Sequence, residues 1–401
     1  MSLAFAERLS SIAPSATMAM AAQASKLAAT GVRVFPFSVG EPDAPTPRHI
    51  IEAAKVALDK GATRYTAVTG TPDLKAAICE ATARDRGHAP RPEQITVSVG
   101  AKHALFNLAT ALYEPGDEVM IPAPYWVSYP EQVRLFGAMP VIVPTTEAQG
   151  FRATPEAISR AVTPRTKALI LCTPSNPTGA AYSREHLQGL VEIFRQGSYY
   201  IIVDEIYGDL TYDGFEHVSL AALAPELGER VIVIDGVSKT YAMTGWRIGW
   251  SVTSPKLATA LATIQGQSTT NPAAVAQAAA AAALRGPRAD LVAMRDALAK
   301  KRALMVEGLR SIPGVSCRMP EGAFYAFADV RQLVGLTTSN GKRLEDDLGI
   351  ATWFLEEAHA ATVAGTPFGA PGYIRFSYAC SEDDIRDGVA AIRAAVEGAR
   401  R

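Results

Sequence analysis

The stretch from Val231 to Val252 constrains this chain most: two short apolar runs enclose a loop that carries a lysine and an arginine. It opens with Val231-Ile232-Val233-Ile234, bounded by Asp235-Gly236, a pattern that reads as a buried strand. Lys239 follows between Ser238 and Thr240, Arg247 comes eight residues later, and an apolar run resumes. A lone lysine is ordinarily a solvated surface charge. That reading leaves the arginine and the glycines beyond it unexplained. In a partly desolvated pocket a lysine amine has a lowered pKa and forms a Schiff base with a carbonyl. A nearby arginine grips a phosphate through two parallel hydrogen bonds.

Three other stretches have the same layout, an apolar strand ending in polar residues. Residues 95–112 change from strand alternation to helical period at Gly100, so the amides of Gly100, Ala101 and Lys102 sit where a helix begins and an anion is favoured. Residues 167–179 run from an apolar strand into a proline-rich turn bearing Asn176. That amide lies past the strand's carboxyl end, where open α/β sheets place ligands. Residues 199–207 end a buried strand at Asp204, with Tyr207 three residues on. A carboxylate there needs a cationic partner, or caps a following helix. A lysine for an aldehyde, an arginine for a phosphate and a buried acid for a ring nitrogen together suggest pyridoxal 5'-phosphate. In that reading Asn176 and Tyr207 bond the ring's phenolic oxygen. Trp126, in the proline-bounded Pro124–Pro130 stretch, stacks on the ring or serves as core.

Ser238-Lys239 followed by Met243, Gly245-Trp246-Arg247-Ile248-Gly249 resembles the signature of the fold-type I, class I aminotransferases. Gly40-Glu41-Pro42-Asp43, Pro124–Pro130, Asn176-Pro177-Thr178-Gly179 and Tyr373–Ala379 extend the likeness along nearly the whole chain, closest to the bacterial aspartate aminotransferase branch. The resemblance implies an α/β fold with a large domain built on a mostly parallel seven-stranded sheet, and a smaller α+β domain drawing on both termini. The expected division is 1–47 and 291–401 for the small domain and 48–290 for the large one. It also implies a ping-pong transfer of the amino group of an L-amino acid, aspartate first, to 2-oxoglutarate through a Lys239 Schiff base. Within the family, Gly40 lies beside the substrate carboxylate, Arg375 binds it, the N-terminal segment covers the site, and Tyr65 reaches the phosphate of a neighbouring subunit in a homodimer. Two positions depart from the pattern. Gly236 stands where many relatives carry a phosphate-binding hydroxyl, leaving Ser238 to compensate. No residue stands out as the reader of a distal carboxylate, so an aromatic or broad-range aminotransferase and a C–S lyase on the same fold remain alternatives.

The rest of the sequence sets bounds. A net charge of −1 gives no electrostatic reason to expect nucleic acid or an anionic membrane. Cys79, Cys172, Cys317 and Cys380 show no CxxC spacing and the six histidines do not cluster, which argues against a metal site and for a reducing compartment. Charges near the start break up any signal-like apolar run, and the alanine-rich stretch 273–284 is too short to span a bilayer. These features point to a cytoplasmic protein. Residues 281–312 read as one long helical connector, 322–327 as a strand, and 346–360 as a helix.

Overall fold

The computed structural model describes residues 5–400. Eleven strands lie among them: β1 (Ile95–Ser98), β2 (Glu118–Pro122), β3 (Met139–Val143), β4 (Thr166–Cys172), β5 (Tyr200–Asp204), β6 (Val231–Gly236), β7 (Gly249–Val252), β8 (Ser316–Cys317), β9 (Tyr325–Asp329), β10 (Val363–Ala364) and β11 (Tyr373–Ser377). The first seven form one sheet in the order β1-β7-β6-β5-β4-β2-β3. β6, β5, β4, β2 and β3 run parallel, whereas β7 is antiparallel to both β6 and β1.

The inner apolar strands β5 and β6 are buried on both faces, as a parallel sheet covered by helices requires, whereas the edge strand β3 is partly exposed. Successive side chains point to opposite faces. Ile201, Val203, Val231 and Val233 therefore join one core with the helices Arg48–Asp59, Pro72–Arg86, Arg184–Gln196 and Ala274–Arg285. Ile202, Ile232 and Ile234 join another with Ala101–Leu112, Ser128–Leu135 and Pro255–Gly266. The loops leaving the carboxyl ends of β1, β2, β4, β5 and β6 all emerge along one edge, and this edge carries the site.

A second body holds the antiparallel sheet β10-β11-β9-β8 and the helices Ala289–Arg310, Asp347–Ala358 and Glu382–Gly398. Phe35 and Phe37 belong to its core, and the Ser377 amide donates to the Phe37 carbonyl at 2.7 Å. The N-terminal arm is thus stitched to the small sheet. No helix among the described residues is long and apolar enough to cross a membrane.

Several local expectations change. The connector expected over 281–312 is two helices, Ala274–Arg285 and Ala289–Arg310, because Gly286-Pro287 cannot continue the first. No helix follows Asp204: residues 205–208 form a turn, and Asp204 Oδ1 accepts from the Ile206 amide at 3.2 Å, so its cap is local to that turn. A helix, Ser128–Leu135, lies between β2 and β3 where only strands and loop were expected. The strand expected over 322–327 starts at Tyr325, since Ala323 takes φ 58°. The helix expected over 346–360 spans Asp347–Ala358 and ends at left-handed His359. Gly236 is closely packed: a Cβ there would lie 3.0 Å from Gly249 Cα and from the Ile248 carbonyl across the β6–β7 pairing, so a side chain at this position needs those neighbours to shift slightly.

Candidate active site

At the carboxyl edge of the large sheet lies a cavity of 260 Å³ bordered by Gly40, Ala101, Lys102, Trp126, Asn176, Asp204, Tyr207, Ser238, Lys239, Arg247 and Arg375. The fold thus gathers eleven of the thirteen residues singled out in the sequence. Gly100, the twelfth, stands directly behind Ala101. Tyr65 is elsewhere, 89% exposed and outside its own chain's cavity.

Lys239 enters from the loop after β6. Its Nζ donates to the Gly40 carbonyl at 2.5 Å and lies 5.8 Å from the Phe324 ring centroid. Burial removes solvation that the ammonium needs and pulls its pKa down to about 8. A Cβ at Gly40 would meet the Tyr325 hydroxyl at an ordinary 3.5 Å, and it is the Gly40 carbonyl that holds the lysine.

Asp204 terminates β5 beneath the cavity. Its Oδ2 accepts from the Tyr129 hydroxyl at 2.7 Å. Burial pushes its pKa up to about 6, and these two hydrogen bonds oppose the rise. A carboxylate so placed gains from a cation delivered by a ligand.

Arg375 lies on β11, between β10 and β9, with 1% exposure, which excludes an edge-strand surface role. Nη1 donates to Asn176 Oδ1 at 3.0 Å and Nη2 to the Ser38 carbonyl at 2.8 Å, while Nε has no partner. The guanidinium sits 4.5 Å from the Tyr325 ring centroid. Accepting from Arg375 leaves the Asn176 Nδ2 as the group available to a ligand. The Tyr207 hydroxyl meets that of Tyr325 at 3.1 Å.

At the other end of the cavity, Gly100 has φ 87° and opens the helix Ala101–Leu112. The first amides of a helix have no carbonyl one turn back to accept them. Arg247, itself left-handed at φ 58°, donates from Nη1 to the Thr244 carbonyl at 2.7 Å and crosses so near Gly100 that a Cβ there would lie 2.6 Å from Nη2. Gly249 leaves equal space for Ala101. Buried Ser238 lines the same end. A helix start, a hydroxyl and a guanidinium converge as a phosphate cradle does.

Trp126 flanks the cavity, edge-on to Tyr129 with ring centroids 5.3 Å apart. Lys102 Nζ lies 4.8 Å from its ring centroid, and burial lowers that ammonium's pKa. Sequence reasoning named Lys102 for its backbone and missed its side chain. It also missed Tyr129, which lines the cavity but carries no motif of its own. Ser15 caps the helix Ala16–Ala28 and, like Thr17, borders the cavity. Four cations (Lys102, Lys239, Arg247, Arg375) border this cavity with only the Asp204 carboxylate, and none of them forms an ion pair among the described residues.

Comparison with known proteins agrees with this geometry. The family model described as aminotransferase class I and II matches residues 32–392. The aspartate/prephenate aminotransferase of Cereibacter sphaeroides is 44% identical over 98% of this chain and 98% of its own length. The aspartate aminotransferase of Geobacillus stearothermophilus is 44% identical over 98% of each. The crystal structure of the aspartate aminotransferase from Rhizobium meliloti superposes with a TM-score of 0.96 at 41% identity, covering 99% of this chain and 100% of that one. The Thermus thermophilus aspartate aminotransferase solved with maleate superposes at 0.92 with 40% identity, over 98% and 100%. The chain belongs to the class I and II aminotransferases, enzymes that depend on pyridoxal phosphate and work on amino and 2-oxo acids.

Proposed function

We propose that this aminotransferase takes the amino group of a dicarboxylic L-amino acid, aspartate first, and passes it to 2-oxoglutarate. The observation that carries the reading is the set of four unpaired cations around one cavity. Arg247, with Ser238 and the amides of Gly100, Ala101 and Lys102, takes the cofactor phosphate. Lys239 takes its aldehyde carbon. Arg375 takes the α-carboxylate, its two protein bonds fixing the guanidinium plane. Lys102 is then left over, and a second substrate carboxylate is the anion that matches it. The named relatives support this: they are aspartate aminotransferases, and one of them was solved with maleate, a dicarboxylate.

The close gap at Gly100, crossed by Arg247, and the buried acid at Asp204 fit pyridoxal phosphate. When bound, that group supplies an electrophilic carbon for an amine and a ring that withdraws electrons. The chain does the rest. Asp204 keeps a proton on the ring nitrogen. Tyr207 and the Asn176 amide would hold the phenolic oxygen, and Trp126 would pack on the ring. Lys239, freed when the substrate amine takes its place, would remove the α-proton as a neutral base and deliver it to the former aldehyde carbon, on the other side of the substrate nitrogen. A pKa of about 8 suits that task near neutral pH. Two half-reactions on one site give ping-pong kinetics.

The working unit is a homodimer in this proposal. Tyr65 is an exposed aromatic that its own site does not use, and we place it against the phosphate cradle of a second copy. Phe35, Phe37 and the break at Gly286-Pro287 support a small domain of residues 1–47 and 291–401 around a large one of 48–290. Four free cysteines suit the reducing cytoplasm. The experiment is to add L-aspartate to the cofactor-loaded enzyme without any oxo acid, following the visible spectrum and oxaloacetate. Loss of the lysine–cofactor band with one oxaloacetate per site supports the reading. An unchanged band with aspartate, but loss with tyrosine or phenylalanine, replaces it with an aromatic aminotransferase; pyruvate and ammonia from a sulfur amino acid replace it with a lyase. Prephenate is the second oxo acid to try, since the C. sphaeroides relative carries that name.

A further inference from the structure

Behind the cavity, on the far side of the turns that bear Asp204 and Lys239, lies a buried ionic knot that the chemistry above does not use. Arg86, the last residue of the helix Pro72–Arg86, is 9% exposed. Its Nη2 reaches Asp209 Oδ2 at 2.9 Å and Asp235 Oδ2 at 3.1 Å, and its Nε lies 3.6 Å from Glu205 Oε2. Arg288 binds the other Asp209 oxygen at 2.6 Å. His217 lies 3.2 Å from Glu205. The chain makes room for the guanidinium: a Cβ at Gly208 would fall 2.9 Å from Arg86 Nη2 and 3.0 Å from its Cζ.

The knot's carboxylates sit on the two segments that deliver the reacting groups. Glu205 follows Asp204, and its amide donates to the Ile234 carbonyl of β6 at 2.8 Å. Asp209 closes the same turn and accepts from the Thr240 hydroxyl at 3.3 Å, one residue past Lys239. Asp235 precedes the Lys239 loop and caps the Gly236 amide at 2.7 Å. Without Arg86, three carboxylates would face one another in a buried space with Arg288 and His217 alone to balance them. Like charges there separate or take up protons.

We propose that Arg86 is a positioning residue for amino transfer: through Asp209 and Asp235 it ties the turn after β5 to the loop after β6, and so holds Lys239 against Asp204. This rests on the reading of Lys239 and Asp204 as the working pair. The link from knot to lysine is the Asp209–Thr240 bond, which gives a mild variant. Thr240→Val keeps the shape and removes only that hydroxyl. Arg86→Met keeps the length and removes the charge.

The test uses cofactor-loaded enzyme and measures kcat, KM for the amino donor, the single-turnover rate at which the visible lysine–cofactor band is lost, and the thermal midpoint. In Thr240→Val, kcat and the single-turnover rate fall together about tenfold while KM and the thermal midpoint hold, since misplacing a reacting group slows chemistry rather than binding. Arg86→Met falls further. Pairing it with Asp235→Asn, which removes one of the crowded carboxylates, recovers thermal stability and leaves the slow chemistry. Wild-type kcat and single-turnover rate in Thr240→Val overturn the proposal, and so does full recovery of activity in the Arg86→Met/Asp235→Asn pair. A wild-type enzyme with no lysine–cofactor band at all would instead remove the functional reading on which the clasp rests.

Discussion

The Tyr129 hydroxyl donates to Asp204 Oδ2 at 2.7 Å, inside a protein core and directly below the substrate cavity. The same ring stands edge-on to Trp126, so one tyrosine orients both the acid under the cofactor ring and the indole beside it. Burial has pushed the Asp204 pKa up to about 6, and this hydrogen bond holds it down. Tyr129→Phe removes the donor and keeps the ring. The carboxylate then ionises less readily and grips a protonated ring nitrogen less well. Bonds to charged groups contribute about 1.5–3 kcal/mol, so kcat falls about tenfold or more and cofactor dissociates faster. Steady-state kinetics and the rate of cofactor release check this; wild-type values for both would remove Tyr129 from the site.

Asp204 also makes a stability prediction. Its folded pKa lies above the unfolded value, so the folded apoenzyme binds its proton more tightly than the unfolded chain does. Stability from this group is therefore full below the unfolded pKa, near 3.8, and is lost as pH rises towards about 6. Above that window the ionised carboxylate costs on the order of 3 kcal/mol. Asp204→Asn escapes that cost. Thermal melts of the apoenzyme should show the variant more stable than wild type at pH 8, with the gap closing near pH 4, while transaminase activity is lost. Equal melts at pH 8 would mean that the carboxylate is better solvated than its burial implies.

Lys239 gives the complementary case. Burial lowers its pKa to about 8, so half of it is neutral amine near that pH. Only the neutral form attacks a carbonyl. The rate at which apoenzyme takes up pyridoxal phosphate covalently should rise with pH to a midpoint near 8, well below an ordinary lysine. Lys239→Ala should retain cofactor, since the phosphate cradle and Asp204 remain, and should not turn over. Stopped-flow absorbance and a turnover assay cover both halves.

The sequence displayed those residues whose chemistry is tied to a backbone signal. Asn176, Asp204 and Lys239 each follow an apolar strand, and Gly100 marks the switch from strand to helix, so period and position placed them at one sheet edge. Arg375 was legible as an arginine alternating with apolar neighbours, but only the β10-β11-β9 pairing shows that it is buried. Tyr129 and the Lys102 side chain were not legible: each sits on an ordinary amphipathic helix, and its role follows from which helix face meets the cavity. The close packing at Gly236 was not legible either, because it comes from β7 across the β6–β7 pairing. Pairing of that kind has no local signature. The Arg86 knot is invisible for the same reason, since its members lie on at least four separated segments.

Gly100→Ala tests the phosphate cradle. Position 100 takes φ 87°, a conformation that L side chains rarely adopt, and the added methyl would fall 2.6 Å from Arg247 Nη2. The guanidinium is a flexible end and can move, but moving takes it off the phosphate. Backbone strain of about 1–2 kcal/mol adds to this. The expected result is cofactor affinity reduced about tenfold or more, with a modest drop in thermal midpoint. Equilibrium dialysis against pyridoxal phosphate reads it directly, and affinity for pyridoxal lacking the phosphate should change little. If both affinities fell alike, Gly100 would be shaping the whole cavity rather than its phosphate end.

In the proposed function the charge at Lys102 selects the substrate class. Its ammonium borders the cavity above Trp126 without a carboxylate partner, and burial makes that isolated charge costly. A distal substrate carboxylate repays the cost; an aromatic side chain does not. Lys102→Gln keeps length and polarity but removes the charge. Acting alone, a lost ion pair in a partly buried site should lower kcat/KM for aspartate and 2-oxoglutarate about tenfold to a hundredfold. The same change should leave phenylalanine and tyrosine unaffected or improved, because the cavity wall loses a cation that those side chains would have to desolvate. The ratio of kcat/KM for aspartate to that for phenylalanine is therefore the quantity to measure. A ratio that falls in Lys102→Gln assigns the distal carboxylate to Lys102. A ratio that holds while both values drop would mean that Lys102 supports the cofactor end through its helix, and the acidic preference would then have to come from another group bordering the cavity, with Ser15 and Thr17 the nearest in kind.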